Sequence, residues 1–176
     1  MIFKGFKEKS NRKYLDKLLS SRTQSVSDRP VKSLGVITYL KDFNYLNAFE
    51  NLAKELHIRP NRLEVISFSL EEKNDMNTWD KLFNPNDLGR KGAVKNIELE
   101  RFLNTEFDAL ISFYETDILE LKLLTALSKA QFKIGLFQPD ERLNDLIIKT
   151  STKDFDVFQA EVKKYLTILN KIEYDQ

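Results

Sequence analysis

The residues best placed for chemistry follow the apolar runs that the sequence predicts as strands. Asp42 lies just beyond the first run, and Glu115, Thr116 and Asp117 lie just beyond a later one. Ligands of open parallel sheets bind at the carboxyl ends of the strands, and carboxylate oxygens are the ligands that Mg²⁺ prefers. Carboxylates at helix N-termini also cap backbone N–H groups. We favour this capping interpretation for Asp42 and Asp117, predict no metal or cofactor, and keep all four residues as candidate ligand contacts.

A glycine-containing loop at residues 87–92 is the second candidate site, because it places Arg90 and Lys91 between two glycines. Such a loop can offer backbone N–H groups and positive charge to an anion. A solvated turn is the simpler interpretation, and we favour it. Neither G-x-G-x-x-G nor a P-loop motif occurs in the sequence, which therefore disfavours nucleotide binding.

The side chains needed for nucleophilic catalysis are scarce. The chain contains no cysteine and a single histidine, His57, and it lacks a G-x-S-x-G motif. Thiolate nucleophiles, disulfides and cysteine metal sites are therefore excluded. A lone histidine near a helix C-terminus is more often a surface residue than a catalyst. We interpret the protein as a non-enzyme and assign no catalytic residue.

The clearest electrostatic feature is a basic N-terminal segment. Residues 1–33 contain nine Lys or Arg residues and three acidic residues, whereas the whole chain has a net charge of only +1. Apolar residues recur in this segment at spacings of three and four, although Gly5 and Asn11 weaken the pattern locally. We predict a basic amphipathic helix over residues 1–21. The residues predicted to contact a partner are Phe3, Lys4, Phe6, Lys7, Lys9, Arg12, Lys13 and Lys17.

Three kinds of partner suit such a helix. Its apolar stripe can pack on its own domain or on another protein, its cations can contact RNA phosphates, and Ile2, Phe3 and Phe6 can insert into an anionic membrane surface. Membrane binding by one short helix is marginal, and the rest of the chain is acidic, unlike most nucleic-acid-binding proteins. We predict docking on a protein or ribonucleoprotein partner and leave RNA phosphate contact open. Membrane association is less favoured, and no recognition of DNA sequence is expected.

The remainder of the chain alternates between short apolar runs and helical patterns. The runs predicted as strands are residues 34–40, 63–70, 107–114, 132–137 and 146–148. The third and fourth runs flank one helical pattern, which indicates a βαβ unit with a right-handed crossover. Residues 71–96 show no clear pattern, and we expect Trp79, Leu82 and Phe83 to anchor them.

This alternation predicts an α/β fold, namely an open, mostly parallel sheet of four or five strands in a three-layer sandwich of the flavodoxin-like or Rossmann-like kind. A separate basic helix precedes it. We assign residues 1–21 to that helix, 22–33 to a linker and 34–176 to a single domain. An alternative function is therefore small-molecule binding, or a minor enzymatic activity, at the carboxyl ends of the strands.

The sequence also carries expectations about location. No apolar run approaches the roughly 20 residues that span a bilayer. The N-terminus lacks the apolar core of a secretion signal. We therefore expect a cytoplasmic protein.

Two segments, residues 107–135 and 142–147, resemble an uncharacterised bacterial family of similar length, and the resemblance extends over most of the chain. It implies a fold but no activity. The strand–helix–strand stretch that ends at Gly135 is also similar to the N-terminal, Rossmann-like half of heptosyltransferase-type glycosyltransferases. Those enzymes hold the sugar nucleotide with a second Rossmann domain, which this chain is too short to contain, so the similarity implies the fold and not that activity.

Overall fold

The computed structural model describes residues 2–23, 27–43, 45–72 and 81–174. Within these residues, one open sheet contains six strands, all parallel, in the order β3-β2-β1-β4-β5-β6. The strands are β1 Leu34–Tyr39, β2 Leu63–Phe68, β3 Leu82–Phe83, β4 Ala109–Phe113, β5 Phe132–Leu136 and β6 Leu146–Ile148. The α-helices are α1 Ile2–Ser21, α2 Leu46–Glu55, α3 Ile97–Asn104, α4 Leu119–Leu127 and α5 Phe155–Ile168. Among them, no helix is both long and apolar enough to cross a membrane.

Helices cover both faces of the sheet, which explains why its central strands are continuous apolar runs. Every residue of β1 and β4 is buried. Ile37 of β1 faces the layer formed by α1, α3 and α4, whereas its neighbour Val36 faces the layer formed by α2 and α5. The alternation of side chains along a strand thus divides the core into two apolar clusters.

The predicted fold class is confirmed, with one more strand than the expected four or five. The additional strand is β3, which pairs with Ser67 and Phe68 at the edge of the sheet. Leu82 and Phe83, the two expected anchors, form it and are buried. The third expected anchor, Trp79, lies outside the described residues.

The chain runs outwards from the centre of the sheet in two directions. It first builds β1, β2 and β3 towards one edge and then returns to build β4, β5 and β6 towards the other. The connections therefore diverge between β1 and β4, at the point where proteins with this strand order bind ligands in the crevice beyond the carboxyl ends of the strands.

The predicted N-terminal helix is present as α1, and it packs against the domain. Leu15 and Leu19 belong to the same apolar cluster as α3 and α4. Beyond α1, the described residues 22–23 and 27–33 form neither helix nor strand. Residues 24–26 of the predicted linker lie outside the described part of the chain.

Candidate functional site

Asp42 closes the crevice between β1 and β4. One of its carboxylate oxygens accepts hydrogen bonds from the backbone N–H groups of Glu115 at 2.8 Å and Thr116 at 3.0 Å. The other accepts from the Thr116 hydroxyl at 2.8 Å. The carboxylate thus takes up the backbone donors that an anionic ligand would need at this edge.

The expected capping roles of Asp42 and Asp117 are wrong. The N-cap positions of α2 and α4 are Tyr45 and Ile118, and neither helix has a side-chain cap there. Asp42 reaches across the sheet to the loop after β4 instead, and Asp117 forms an ion pair with Lys122 at 2.5 Å. The sequence offers Asn44 as a second possible cap for α2, and this residue lies outside the described part of the chain.

Glu115 is also engaged. One of its carboxylate oxygens accepts a hydrogen bond of 2.7 Å from the Thr152 hydroxyl, just before α5. The buried Gln138 amide donates to the Tyr114 carbonyl at 3.1 Å, which ties the end of β5 to the end of β4. In the described part of the chain, no group of three or more acidic or histidine side chains is arranged to hold a metal ion. The candidate ligand contacts therefore mainly connect the strand ends to one another.

The turn at residues 89–92 is clamped to α1 by Asn11. The Asn11 amide nitrogen donates to the Gly89 carbonyl, and its amide oxygen accepts from the Gly92 N–H, both at 3.0 Å. Only 2% of Asn11 is exposed. The structure therefore brings together two candidate sites that the sequence treats as separate, and the Gly92 N–H is already paired.

The backbone conformation of this turn is unusual and requires a glycine. Lys91 and Gly92 both have positive φ, at 54° and 66°. A Cβ on Gly92 would lie 2.7 Å from the Tyr14 ring of α1. A larger residue at position 92 would thus meet both backbone strain and a clash with α1.

Four cations surround the turn. Lys7 donates a hydrogen bond of 2.6 Å from its Nζ to the Pro85 carbonyl. Partial burial lowers the pKa of Lys7 below its usual value, and the positive charge of Lys95 lowers it further, against an opposing effect of Glu120. Arg90 and Lys91 are exposed. The Lys95 side chain passes close to Gly89, so all four positive charges lie near one short turn.

The solvent-facing side of α1 carries a row of lysines. Lys9, Lys13 and Lys17 are exposed at intervals of four residues, which correspond to about 6 Å along a helix. Neither they nor the exposed Lys4 form an ion pair with another described residue. We call Lys9, Lys13 and Lys17 the lysine row.

Both acidic residues of α1 are paired with arginines. Glu8 accepts from Arg12 within the helix at 2.8 Å, and Asp16 accepts from Arg142 at 3.0 Å. Arg12, a predicted partner contact, is therefore partly neutralised, whereas the lysine row is not.

The first turns of α1 border a cleft of about 770 Å³ at the ends of β2 and β3. Phe3, Leu70 and Ile118 supply apolar lining, and both positive and negative side chains surround them. Phe3 and Phe6 are 87% and 58% exposed, so this end of α1 contributes little to the core.

Lys133 is a functional candidate that the sequence analysis missed. It is 3% exposed, and its Nζ donates to the carbonyls of Thr125 and Ala126 at the C-terminal end of α4, at 2.6 and 3.3 Å. Burial lowers the pKa of Lys133 to about 7, helped by nearby Arg22 and opposed by Asp145. The signal in the sequence is a charged residue inside the apolar run that forms β5.

The strand order, the parallel crossovers and the crevice between β1 and β4 define a doubly wound α/β protein of the Rossmann-like class. Its residues 7–169 match the model of a family of unknown function, DUF6913. The chain belongs to this family, which confirms the resemblance to an uncharacterised domain. No curated protein matches the sequence.

Proposed function

We propose that this protein is a non-catalytic interaction module that docks on a protein or ribonucleoprotein partner through the solvent-facing side of α1. The observation that carries the proposal is the lysine row, three exposed cations that form no ion pair with another described residue, on a helix whose opposite side is buried. Such a surface attracts an anionic partner and accelerates its association.

The docking of α1 on the domain supports this proposal. Leu15 and Leu19 are 8% and 4% exposed, and Asn11 fixes the helix to the 89–92 turn. The lysine row is therefore held in place before any partner binds, which reduces the entropy lost on association.

The strand ends supply the argument against catalysis. The carboxylates of Asp42 and Glu115 accept hydrogen bonds from the protein's own groups, and Asp117 is paired with Lys122. Cytoplasmic location, bacterial origin and similarity to the N-terminal half of heptosyltransferase-type enzymes stay predictions.

The proposal is tested by neutralising the lysine row with Lys9→Gln, Lys13→Gln and Lys17→Gln together. The matched control neutralises three exposed lysines elsewhere, at positions 54, 129 and 153. Partners that co-purify from the native cell with the wild type should be lost from the row variant and retained by the control. Lysine-to-arginine substitutions in the row should restore them. An identical set of partners for the row variant and the control would refute the proposal.

Small-molecule binding is a second candidate, favoured by the cleft beside α1. Its apolar lining at Phe3, Leu70 and Ile118 and its mixed charges suit a small amphipathic compound. A thermal-shift screen tests this function, because a bound ligand stabilises the folded state by mass action. A shift that is unchanged by Leu70→Asp would place the compound elsewhere.

Peripheral membrane association is a third candidate, favoured by the exposed apolar tip of α1. Ile2, Phe3 and Phe6 are between 58% and 87% exposed. Inserted side chains of this kind, reinforced by lysines, bind anionic bilayers. Co-sedimentation with anionic vesicles should then fail for a Phe3→Ser, Phe6→Ser variant, and equal sedimentation of the two proteins would exclude this mechanism.

A further inference from the structure

We infer that the 89–92 turn and α1 together form one surface for the phosphodiester backbone of single-stranded RNA. The inference rests on the proposed function and specifies its partner. It adds Arg90, Lys91 and Lys95 to the predicted partner contacts and identifies RNA as the part of the partner that these residues bind.

The first argument is the concentration of positive charge at the turn. Lys7 and Lys95 are close enough to repel each other, and exposed Arg90 and Lys91 follow within the same turn. None of Arg90, Lys91 and Lys95 forms an ion pair with another described residue. A bound polyanion would neutralise this mutual repulsion, and phosphates of a nucleic acid meet several cations at once.

The second argument is continuity with the lysine row. Asn11 and Tyr14 of α1 contact the turn directly, and Lys17 follows Tyr14 by one helical turn on the same flank. Asn11 lies on the buried side of α1, but Lys17 is only about 60° around the helix from Tyr14, so the turn borders the lysine row along its Lys17 flank. Because the Asn11 clamp is buried, the relative position of the two parts is fixed.

The third argument concerns the chemistry of the partner. Apart from Arg90, and Arg12 that pairs with Glu8, the cations of this surface are lysines, whereas the cores of protein interfaces are depleted in lysine and enriched in arginine and aromatic residues. Lysine suits phosphate backbones, where it acts as a point charge and releases counterions. The composition of the surface therefore favours RNA phosphates over an acidic protein.

The fourth argument selects single-stranded RNA over a duplex. Phe6 is 58% exposed and lies three residues before Lys9, on the solvent-facing side of α1. An exposed aromatic ring beside backbone-binding cations is a platform on which an unpaired base stacks, and every base offers such a face. Bases in a duplex are not accessible for this contact. We therefore expect little preference for sequence.

The test measures binding of a fluorescent single-stranded RNA of mixed sequence by anisotropy at several salt concentrations. It compares the wild type with the lysine-row variant, with a turn variant that combines Arg90→Gln, Lys91→Gln and Lys95→Gln, and with the control at positions 54, 129 and 153. Each phosphate contact removed lowers the slope of log Kd against log salt by about 0.7 for a single strand. In the turn variant, the slope of log Kd against log salt should fall by roughly 2, and RNA should bind at least about tenfold more weakly at low salt. The row variant should show the same changes, and the control should bind like the wild type.

Two further measurements test the stacking role of the Phe6 ring and the preference for single-stranded over duplex RNA. Phe6→Ala should weaken binding about fivefold or more without changing the salt slope, and Phe6→Trp should preserve it. A duplex RNA of the same length should bind more weakly than the single strand. Tighter binding of the duplex, or no effect of Phe6→Ala, would overturn the single-strand assignment.

The outcomes separate this inference from the proposed function. If the row variant loses RNA and the turn variant does not, the composite surface is refuted and docking through α1 stands. If the wild type binds no RNA while a partner dependent on the lysine row survives nuclease treatment, the partner is a protein and the RNA assignment is refuted. If neither RNA nor any partner depends on the lysine row, both proposals fail.

Discussion

Replacing Asn11 by alanine should destabilise the folded protein, because the Asn11 side-chain amide joins α1 to the 89–92 turn. The substitution removes the hydrogen bonds to the Gly89 carbonyl and from the Gly92 N–H, both 3.0 Å long. Both glycines are buried, so water does not readily replace the lost partner.

The magnitude follows from the two groups left unpaired. Each buried polar group without a hydrogen bond costs about 1–3 kcal/mol. The substitution also raises the free energy of unfolding by roughly 0.5 kcal/mol, because alanine forms helices more readily than asparagine. We expect Asn11→Ala to lower the free energy of unfolding by about 1.5–5.5 kcal/mol, and the melting temperature by roughly 3–22 °C for a chain of this size.

Urea denaturation followed by circular dichroism measures the effect. The control on the same helix is Lys13→Ala, which changes helix propensity less than Asn11→Ala does and breaks no buried hydrogen bond. Exposed substitutions of this kind stay within about 0.5 kcal/mol of the wild type. Asn11→Asp is a second variant, whose carboxylate keeps an acceptor for Gly92 but faces the Gly89 carbonyl with no proton to donate, so it should also be destabilised at neutral pH. If Asn11→Ala costs no more than the control, the amide does not hold α1 in place.

Three further predictions concern the domain itself. Because burial lowers the pKa of Lys133 to about 7 from 10.5, the folded state binds fewer protons than the unfolded state between these values, and stability rises with pH through that window. Urea denaturation should show that, between pH 7 and pH 9, the free energy of unfolding rises by about 2 kcal/mol more in the wild type than in Lys133→Met. The exposed-site control Lys129→Met should have the same pH dependence as the wild type. Gly135→Ala places a Cβ 2.3 Å from the Asn144 amide and should lower the free energy of unfolding by about 1–3 kcal/mol. In a double-mutant cycle, Asn144→Ala should recover part of this loss because it removes the clashing side chain. Strictly additive effects of the two substitutions would contradict the clash. Asp42→Ala should cost about 1–2 kcal/mol and accelerate amide hydrogen exchange in the loop after β4, and unchanged exchange there would show that the carboxylate does not order the loop.

The α/β fold could be predicted because its signals are local. Fully buried strands such as β1 and β4 are continuous apolar runs, and the helical pattern between β4 and β5 dictates a parallel pair. The β3 strand could not be predicted in this way. Two residues are too few to show a period, and their strand conformation depends on pairing with Ser67 and Phe68.

The gathering of residues at the strand ends could also be predicted, but not their partners. Parallel strands bring their carboxyl ends to one edge, which places Asp42 near Glu115 and Thr116. The N-capping rule, which considers only neighbouring residues, assigns Asp42 to α2. Its hydrogen-bond partners instead lie more than 70 residues away in the sequence. Contacts at this separation depend on strand order, which single-sequence periodicity does not encode.

In α1, the sequence shows an apolar stripe but not which of its residues are buried. Phe3 and Phe6 lie about 120–180° around the helix from Leu15, so they cannot share its buried side. A different signal was available, since Asn11, Leu15 and Leu19 recur every four residues and all three are buried. A polar residue in register with two leucines indicates a buried hydrogen-bonding partner more strongly than it indicates a weak helix.

The two sides of α1 predict that stability and binding respond to different substitutions. Lysine-to-glutamine changes in the lysine row leave Asn11, Leu15 and Leu19 in place, so they should reduce partner affinity without altering the free energy of unfolding. Asn11→Ala retains every charge but releases the 89–92 turn, so it should reduce both. Because the turn's cations reach a common ligand with the lysine row only while the clamp holds, the loss of affinity in Asn11→Ala should remain under conditions where the variant is still fully folded. A folded Asn11→Ala protein that binds RNA as tightly as the wild type would show that the two groups of cations act independently.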